Sequence, residues 1–411
     1  MASTTDSVSI FTEGTFEEQI QELLTYLVRN RPDEERATFL GPFQNALKAG
    51  EGKPPLGEDE PKRKLILSKL LPDVKGLGDG TDKEAEGFFN LLFAHLFALH
   101  PAKSPEAKGY LETLLKTLSA SPSDRLAVRC RILSNLFNAL PRTSALRSSV
   151  YKTLLDLTAS AGNLEALQLS KVEVERWLSD WDISNEEKST FIKSIADAYK
   201  KTEQPDPSYE YFLLYVKSLP SSSEEVQKAA VDAIATALRL SDIFDFDPLF
   251  KLDAVIGAKN HELFGLLQIF LSGDFVDYKT WASSHPGSLE KYDIPSSELE
   301  HKIRLITLAS LAFRHIGQNL PYAKIAEVIE VDISEVEIWA IDVIRAGLVW
   351  GKLSQTTQSL YITRATARTF EKEQWQALEK RLIAWKSGLA GILDVVAGAK
   401  RQGGGQAAAV A

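Results

Sequence analysis

The sequence predicts a mostly α-helical protein: an irregular, solenoid-like arm of helical repeats, then a winged-helix subdomain, then a long C-terminal heptad helix. Three observations predict it. Upstream of residue 300 the chain is a succession of amphipathic stretches opened by capping signals and separated by short polar turns. From Leu320 to Thr363, two short helical stretches precede two segments rich in β-formers. From Trp375 to Val396, large apolar residues recur at spacings of 3, 4, 3, 4, 3 and 4.

In the arm, Thr15 with Glu18 forms a capping box ahead of Ile20, Leu23, Leu24 and Leu27. Ser104-Pro105 and Ser121-Pro122 each set a cap residue before a first-turn proline. Ser184 with Glu187 opens a helix carrying Phe191, Ile195 and Tyr199, and Ser221 with Glu224 opens one carrying Val231, Ile234 and Leu238. No exact period repeats, so the arm reads as an irregular solenoid. Residues 49–61 and 72–83, rich in Gly, Pro and charge, are expected to be mobile loops. Residues 203–208, Glu-Gln-Pro-Asp-Pro-Ser, are expected as the hinge.

Pro321 suits a first helical turn, and Tyr322, Ile325, Val328 and Ile329 follow at helical spacing. Asp332 and Ser334 are placed to cap the next helix, with Glu335 and Glu337 completing capping boxes. That helix carries Val336, Trp339, Val343 and Ile344, and Gly347 ends it. The period then changes. Residues 348–353 and 360–363 are short β-formers joined by the polar 354–358, which is a wing. A winged helix raises the question of DNA. The second helix carries Glu335, Glu337 and Asp342 against Arg345 alone, the wrong sign for a phosphate backbone, and no Asn, Gln or Lys to read base edges.

The heptad stripe is Trp375, Leu378, Leu382, Trp385, Leu389, Ile392 and Val396. At about 2 kcal/mol per large side chain, covering it is worth on the order of 10 kcal/mol. It either folds back on the chain's own helices or joins a bundle. About 22 residues at 1.5 Å rise reach roughly 33 Å, further than one small winged helix covers, which favours a partner. The divisions expected are 1–207 for the helical-repeat region and 208–370 for the next domain, with its winged helix at about 301–365. Residues 371–397 form the heptad helix and 398–411 a disordered, glycine-rich tail.

Composition excludes several classes. With 411 residues and a net charge of −9, the chain is no general binder of nucleic acid or anionic membrane. Its single cysteine, Cys130, allows no intramolecular disulfide and fits a reducing compartment. Residues 1–9 lack the basic start and apolar centre of a signal peptide. The apolar run Phe88 to Leu99 suits a buried helix. A soluble, cytoplasmic protein is expected.

No chemistry emerges. His261-Glu262 begins like a zinc-protease motif, but Gly265 stands where the second histidine would be. His95 and His100 are five apart with no third ligand nearby, and read as structural. The glycines at 76, 78 and 80 form a loop too short for a phosphate cradle. Arg129 and Arg131 flank Cys130 and would lower its pKa, but no motif surrounds it. No enzyme, metal or cofactor is expected.

A helical arm running into a winged helix resembles the PCI-domain family of the proteasome lid, the signalosome and eukaryotic translation initiation factor 3. The likeness is most specific to the subunit M family of that factor. It lies in Ile341 to Val349, Lys352 to Thr356, Arg368-Thr369-Phe370, Lys372, Gln374-Trp375, Leu378 and Trp385-Lys386. Upstream it includes His261 to Tyr278 with its Leu266-Leu267-Gln268-Ile269-Phe270 core. It spans about Asp247 to Leu389 and is weak over the first 200 residues. It implies a non-catalytic scaffold whose winged helices align edge to edge and whose C-terminal helices bundle. The implied partners are other PCI and MPN subunits, notably F and H, the small ribosomal subunit through the complex, and mRNA by an indirect contact. The implied interface residues are Trp375, Leu378, Leu382, Trp385, Leu389 and Ile392 for the bundle. For the wing they are Leu348, Trp350, Leu360 and Ile362, as core or edge pairing. A signalosome or proteasome-lid subunit is the alternative with the same fold; a nucleic-acid-binding winged helix is the alternative of another class.

Overall fold

A computed structural model describes residues 14–29, 31–47, 56–120, 125–220, 224–368 and 372–407. It divides into two compact units, Met1–Pro220 and Ser221–Ala411.

The first unit holds α1 (Phe16–Val28), α2 (Asp33–Leu47), α3 (Glu60–Leu70), α4 (Asp82–Leu99), α5 (Pro105–Ala120), α6 (Leu126–Ala139), α7 (Leu146–Ser160), α8 (Lys171–Asp180), α9 (Asn185–Lys201) and α10 (Pro205–Ser218). Helices pack on near neighbours in sequence: α4 on α6, α5 on α7, α7 on α9, α9 on α10. This is the irregular solenoid that the caps predicted. The boxes of Thr15 with Glu18 and Ser184 with Glu187 both close, and the Ala107 N–H donates to Ser104 Oγ at 3.1 Å. The calls on Ser121-Pro122 and the Ser221 cap lie outside the described residues.

Two loop readings change. Of 49–61, residues 49–55 lie outside the described residues and α3 begins at Glu60, capped by Asp59. The 72–83 segment is a packed loop. Val74 and Leu77 are buried in the arm's core, and Arg125 Nη1 donates to the Gly78 carbonyl at 2.9 Å. Tyr26 Oη donates to the Leu77 carbonyl at 2.5 Å, its ring stacked on Phe88. Glycines are required there because a Cβ on Gly80 would sit 2.5 Å from the Tyr26 ring, and Gly78 has φ +69°. The 203–208 stretch carries the turn into α10: Glu203 is left-handed and Pro205 opens the helix.

The run Phe88 to Leu99 is the buried part of α4. Within it His95 lies edge-on to Phe16, centroids 5.1 Å apart. Burial, with a smaller push from Arg63, lowers its pKa to about 4. Between pH 6.5 and 4 the unfolded chain binds a proton there that the folded chain does not. Stability is therefore complete above about pH 6.5 and falls by up to about 3 kcal/mol as pH drops towards 4. Protection factors of α4 amides in the full chain should show this acid limb, and His95→Leu should flatten it.

The second unit begins with α11 (Glu224–Arg239), α12 (Asp247–Phe250), α13 (Asp253–Gly257), α14 (Glu262–Ser272), α15 (Phe275–Ser284) and α16 (Ser288–Lys291). It continues through α17 (Ser296–Arg314), β1 (Asn319–Pro321), α18 (Tyr322–Ile329), α19 (Val336–Arg345), β2 (Val349–Ser354) and β3 (Ser359–Ala365), and ends with α20 (Lys372–Ala407). Helix α17 packs on α11, α15, α18, α19 and β3. Its Leu299, Ile303 and Ile306 are therefore buried along with Leu305, Leu308 and Ala312.

The winged helix is α17, β1, α18, α19 and the β2–β3 wing, in a sheet of order β1-β3-β2. Three-residue β1 escapes a reading by periodicity. Pro321, expected in a first helical turn, instead closes β1 opposite Ser359 and serves as the N-cap of α18. The expected side-chain caps of the next helix do not form. A 3₁₀ turn, Ile333–Glu335, leads into α19, and neither Asp332 nor Glu335, the residues preceding the turn and the helix, makes a cap bond. Gly347, with φ +69°, ends the helix as expected. A bulge falls at Trp350/Gly351, where a Cβ on Gly351 would overlap the Tyr361 carbonyl oxygen. Helix α20 runs ten residues past the expected end at 397, through the glycine triplet expected to be disordered. Once nucleated, a helix adds residues one by one, and each glycine costs only about 1 kcal/mol.

Candidate assembly surface

Helix α20 has its described side chains at 375–376 and 378–399 all exposed. The seven stripe residues therefore lie together on one uncovered face: Leu389 is 41% exposed and Trp385 67%. Ile383, Leu393 and Val395, off the seam, are exposed as well. Leu378–Ala399 is also long and apolar enough, by length and composition, to cross a membrane.

Arg368, four residues before this helix, is held by three acceptors. Its Nε donates to the Ile306 carbonyl at 3.3 Å, Nη2 to Thr307 Oγ1 at 3.4 Å and Nη1 to the Gly273 carbonyl. The guanidinium thus ties the end of α14 to the middle of α17. Burial brings its pKa down to about 10, with Asp274 opposing, so it stays charged at neutral pH. Thr369 and Phe370 lie outside the described residues.

The four wing residues divide. Leu348, Leu360 and Ile362 are buried in the winged helix's own core with Val349, Ile325 and Val343. Trp350 is exposed on the outer face, with the Arg364 guanidinium 4.5 Å from its ring centroid. Strand β2 is the sheet's edge on the wing side.

His261 and Glu262 are engaged within the fold. His261 caps α14, its Nδ1 accepting the Leu263 N–H at 3.2 Å, and its Nε2 lies 3.0 Å from Tyr292 Oη. Glu262 accepts from Ser288 Oγ at 2.7 Å and from Lys291 at 3.2 Å, and the Ser288 bond chiefly holds its carboxyl below the usual range. Both line an open cleft of about 810 Å³ with Trp281 and His285 stacked at its wall. The expectation for Cys130 reverses. Burial raises its pKa and Arg129 offsets only part of that, while Arg131 turns to Glu86 at 3.6 Å.

An arm of helical repeats, a three-stranded winged helix and an uncovered terminal helix define a PCI-type assembly subunit, and residues 284–364 match the PCI domain model. Residues 368–396 match the model described as eIF3 subunit M, C-terminal helix. The chain is 31% identical over 407 residues to eukaryotic translation initiation factor 3 subunit M of Phaeosphaeria nodorum, covering 96% of this chain and 89% of that protein. It is also 31% identical to the subunits M of Aspergillus oryzae, over 95% of this chain and 86% of that one, and Coccidioides immitis, over 96% and 89%. The chain belongs to the eukaryotic translation initiation factor 3 subunit M family.

Proposed function

We propose that the chain acts without catalysis, as a scaffold of translation initiation factor 3 that joins its neighbours through α20 and the wing. The uncovered stripe of α20, coincident with the matched C-terminal helix, carries this reading. Trp375, Leu378, Leu382, Trp385, Leu389 and Ile392 form the seam, and the exposed Ile383, Leu393 and Val395 lie outside it, on both of its flanks. A helix apolar on several sides is suited to the inside of a bundle. Leu348, Leu360 and Ile362 hold the wing in shape, and Trp350 with edge strand β2 offers main-chain pairing to a neighbouring sheet. The neighbours are other PCI and MPN subunits, notably F and H. The small ribosomal subunit is reached through the complex, any mRNA contact is indirect, and the work is cytoplasmic.

A bilayer is the other host for an apolar helix of this length. Lys386 and Asp394 fall well inside the span, and an ionised side chain near the centre costs roughly 3 kcal/mol. A helical bundle leaves both at its rim, at heptad positions e and f.

Purification of the tagged chain from cells should recover PCI and MPN subunits of the factor, F and H among them, and small-subunit ribosomal proteins at lower yield. Recovery of signalosome subunits without any of these would refute the reading.

A further inference from the structure

The outer face of α19 is the helix surface that a DNA-binding winged helix would use, and here two isoleucines stand on it beside Arg345, which is exposed and paired with Asp342 at 3.9 Å. Ile338 and Ile341 are 61% and 40% exposed, and Ile333, in the turn before, is 50% exposed. Residues three and four apart share a helix face, so Ile338 and Ile341 form one apolar strip. Isoleucines left in water on a well-packed element mark an interaction surface.

The charges around the strip say what covers it. Residues 327–342 contain six carboxylates and no lysine or arginine. Three are engaged: Glu330 with Lys279, Glu337 with Gln355, and Asp342 with His301 at 3.5 Å. Glu327, Asp332 and Glu335 have no ion-pair partner among the described residues. Together with Glu330 they line a groove of about 470 Å³ between α18 and the turn into α19. Arg304, which also lines the groove, sets one positive charge against these carboxylates and lies over the rings of Phe275, at 4.3 Å, and Trp339, at 5.5 Å. Glu335 stands three residues before Ile338, so groove and strip adjoin.

We propose that this face docks a basic, amphipathic segment of a protein partner, its apolar side chains on Ile338 and Ile341 and its Lys or Arg side chains in the groove. Nucleic acid is disfavoured because its phosphates would meet a groove whose carboxylates outnumber its cations. The site is separate from α20 and the β2 edge, so it can fail while the assembly proposed above stands.

The test uses the full chain in its native complex. A photo-crosslinking benzoylphenylalanine replaces Ile338, and the crosslinked residue is identified by mass spectrometry. The expected product is a peptide with Lys or Arg within a turn of the attachment point. Its yield should drop about tenfold when the exposed Glu327→Lys and Glu335→Lys changes are added, because like charges are then brought together. Recovery of the complex with its other subunits shows that these variants still fold. Crosslinks to RNA, crosslinks to a segment without basic residues, a yield indifferent to the charge reversal, or no crosslink would each overturn the proposal.

Discussion

Trp385→Asp with Leu389→Asp should release the chain from its complex while leaving it folded. Both side chains are exposed in the isolated chain, so the folded state loses no internal contact. Surface changes of this kind shift stability by about 0.5 kcal/mol or less, so the melting temperature should stay within a few degrees. In a bundle the same two residues would each bury large apolar area, worth about 2 kcal/mol apiece. The aspartates would also carry two carboxylates into an apolar seam. A loss of at least about 4 kcal/mol, a thousandfold in affinity, follows. Co-purification of tagged wild-type and variant chains measures it. Lys380→Asp, at heptad position f, is the control that should cost little. Normal incorporation of the double variant would mean that α20 is not the joining element.

The stripe could be read from the sequence because a heptad is a long periodic signal that one chain cannot easily imitate by accident. The capping boxes at Thr15 and Ser184 were legible for a similar reason: a local hydrogen-bond exchange needs only two residues at a fixed offset. What depended on tertiary packing was not legible. The loop around Leu77 looks mobile by composition, yet its glycines exist to admit the Tyr26 ring. Strand β1 is three residues long and contains a proline, too little for a period, and only its pairing with β3 defines it. Arg368 stood out only through the family resemblance. Nothing in its neighbourhood predicts three acceptors from elements 61 to 95 residues away. The carboxylates of α19 are legible in the sequence, but its exposed isoleucines were hidden, because burial decides which of several helix faces is left over.

Lys302 is the sharpest case of this kind, and it gives the second large effect. In Glu-Leu-Glu-His-Lys-Ile-Arg it looks like one more solvated helix charge. With α17 packed against five other elements, its side chain is instead 2% exposed. Nζ donates to the Ala237 carbonyl at 2.7 Å and the Leu240 carbonyl at 2.5 Å, closing the end of α11, and lies 4.9 Å from the Phe246 ring centroid. Burial draws its pKa from 10.5 to about 7, with Asp242 opposing. Between pH 7 and 10.5 the unfolded chain therefore holds a proton that the folded chain has released, and stability must rise with pH across that window. Below about pH 7 both states are protonated and the contribution is flat. The slope approaches about 1.4 kcal/mol per pH unit, and the full span is about 5 kcal/mol. Tyr278, pushed up to about 12 by burial, opposes this only above pH 10, where an unfolded tyrosine begins to ionise. Protection factors of α17 amides in the full chain should accordingly increase from about pH 7 to about pH 9. Lys302→Met removes the titrating group and should abolish the increase, even though it lowers stability overall by leaving two helix-end carbonyls without their donor. The slope separates the two effects: a variant that keeps the wild-type rise would show that Lys302 remains charged within the fold.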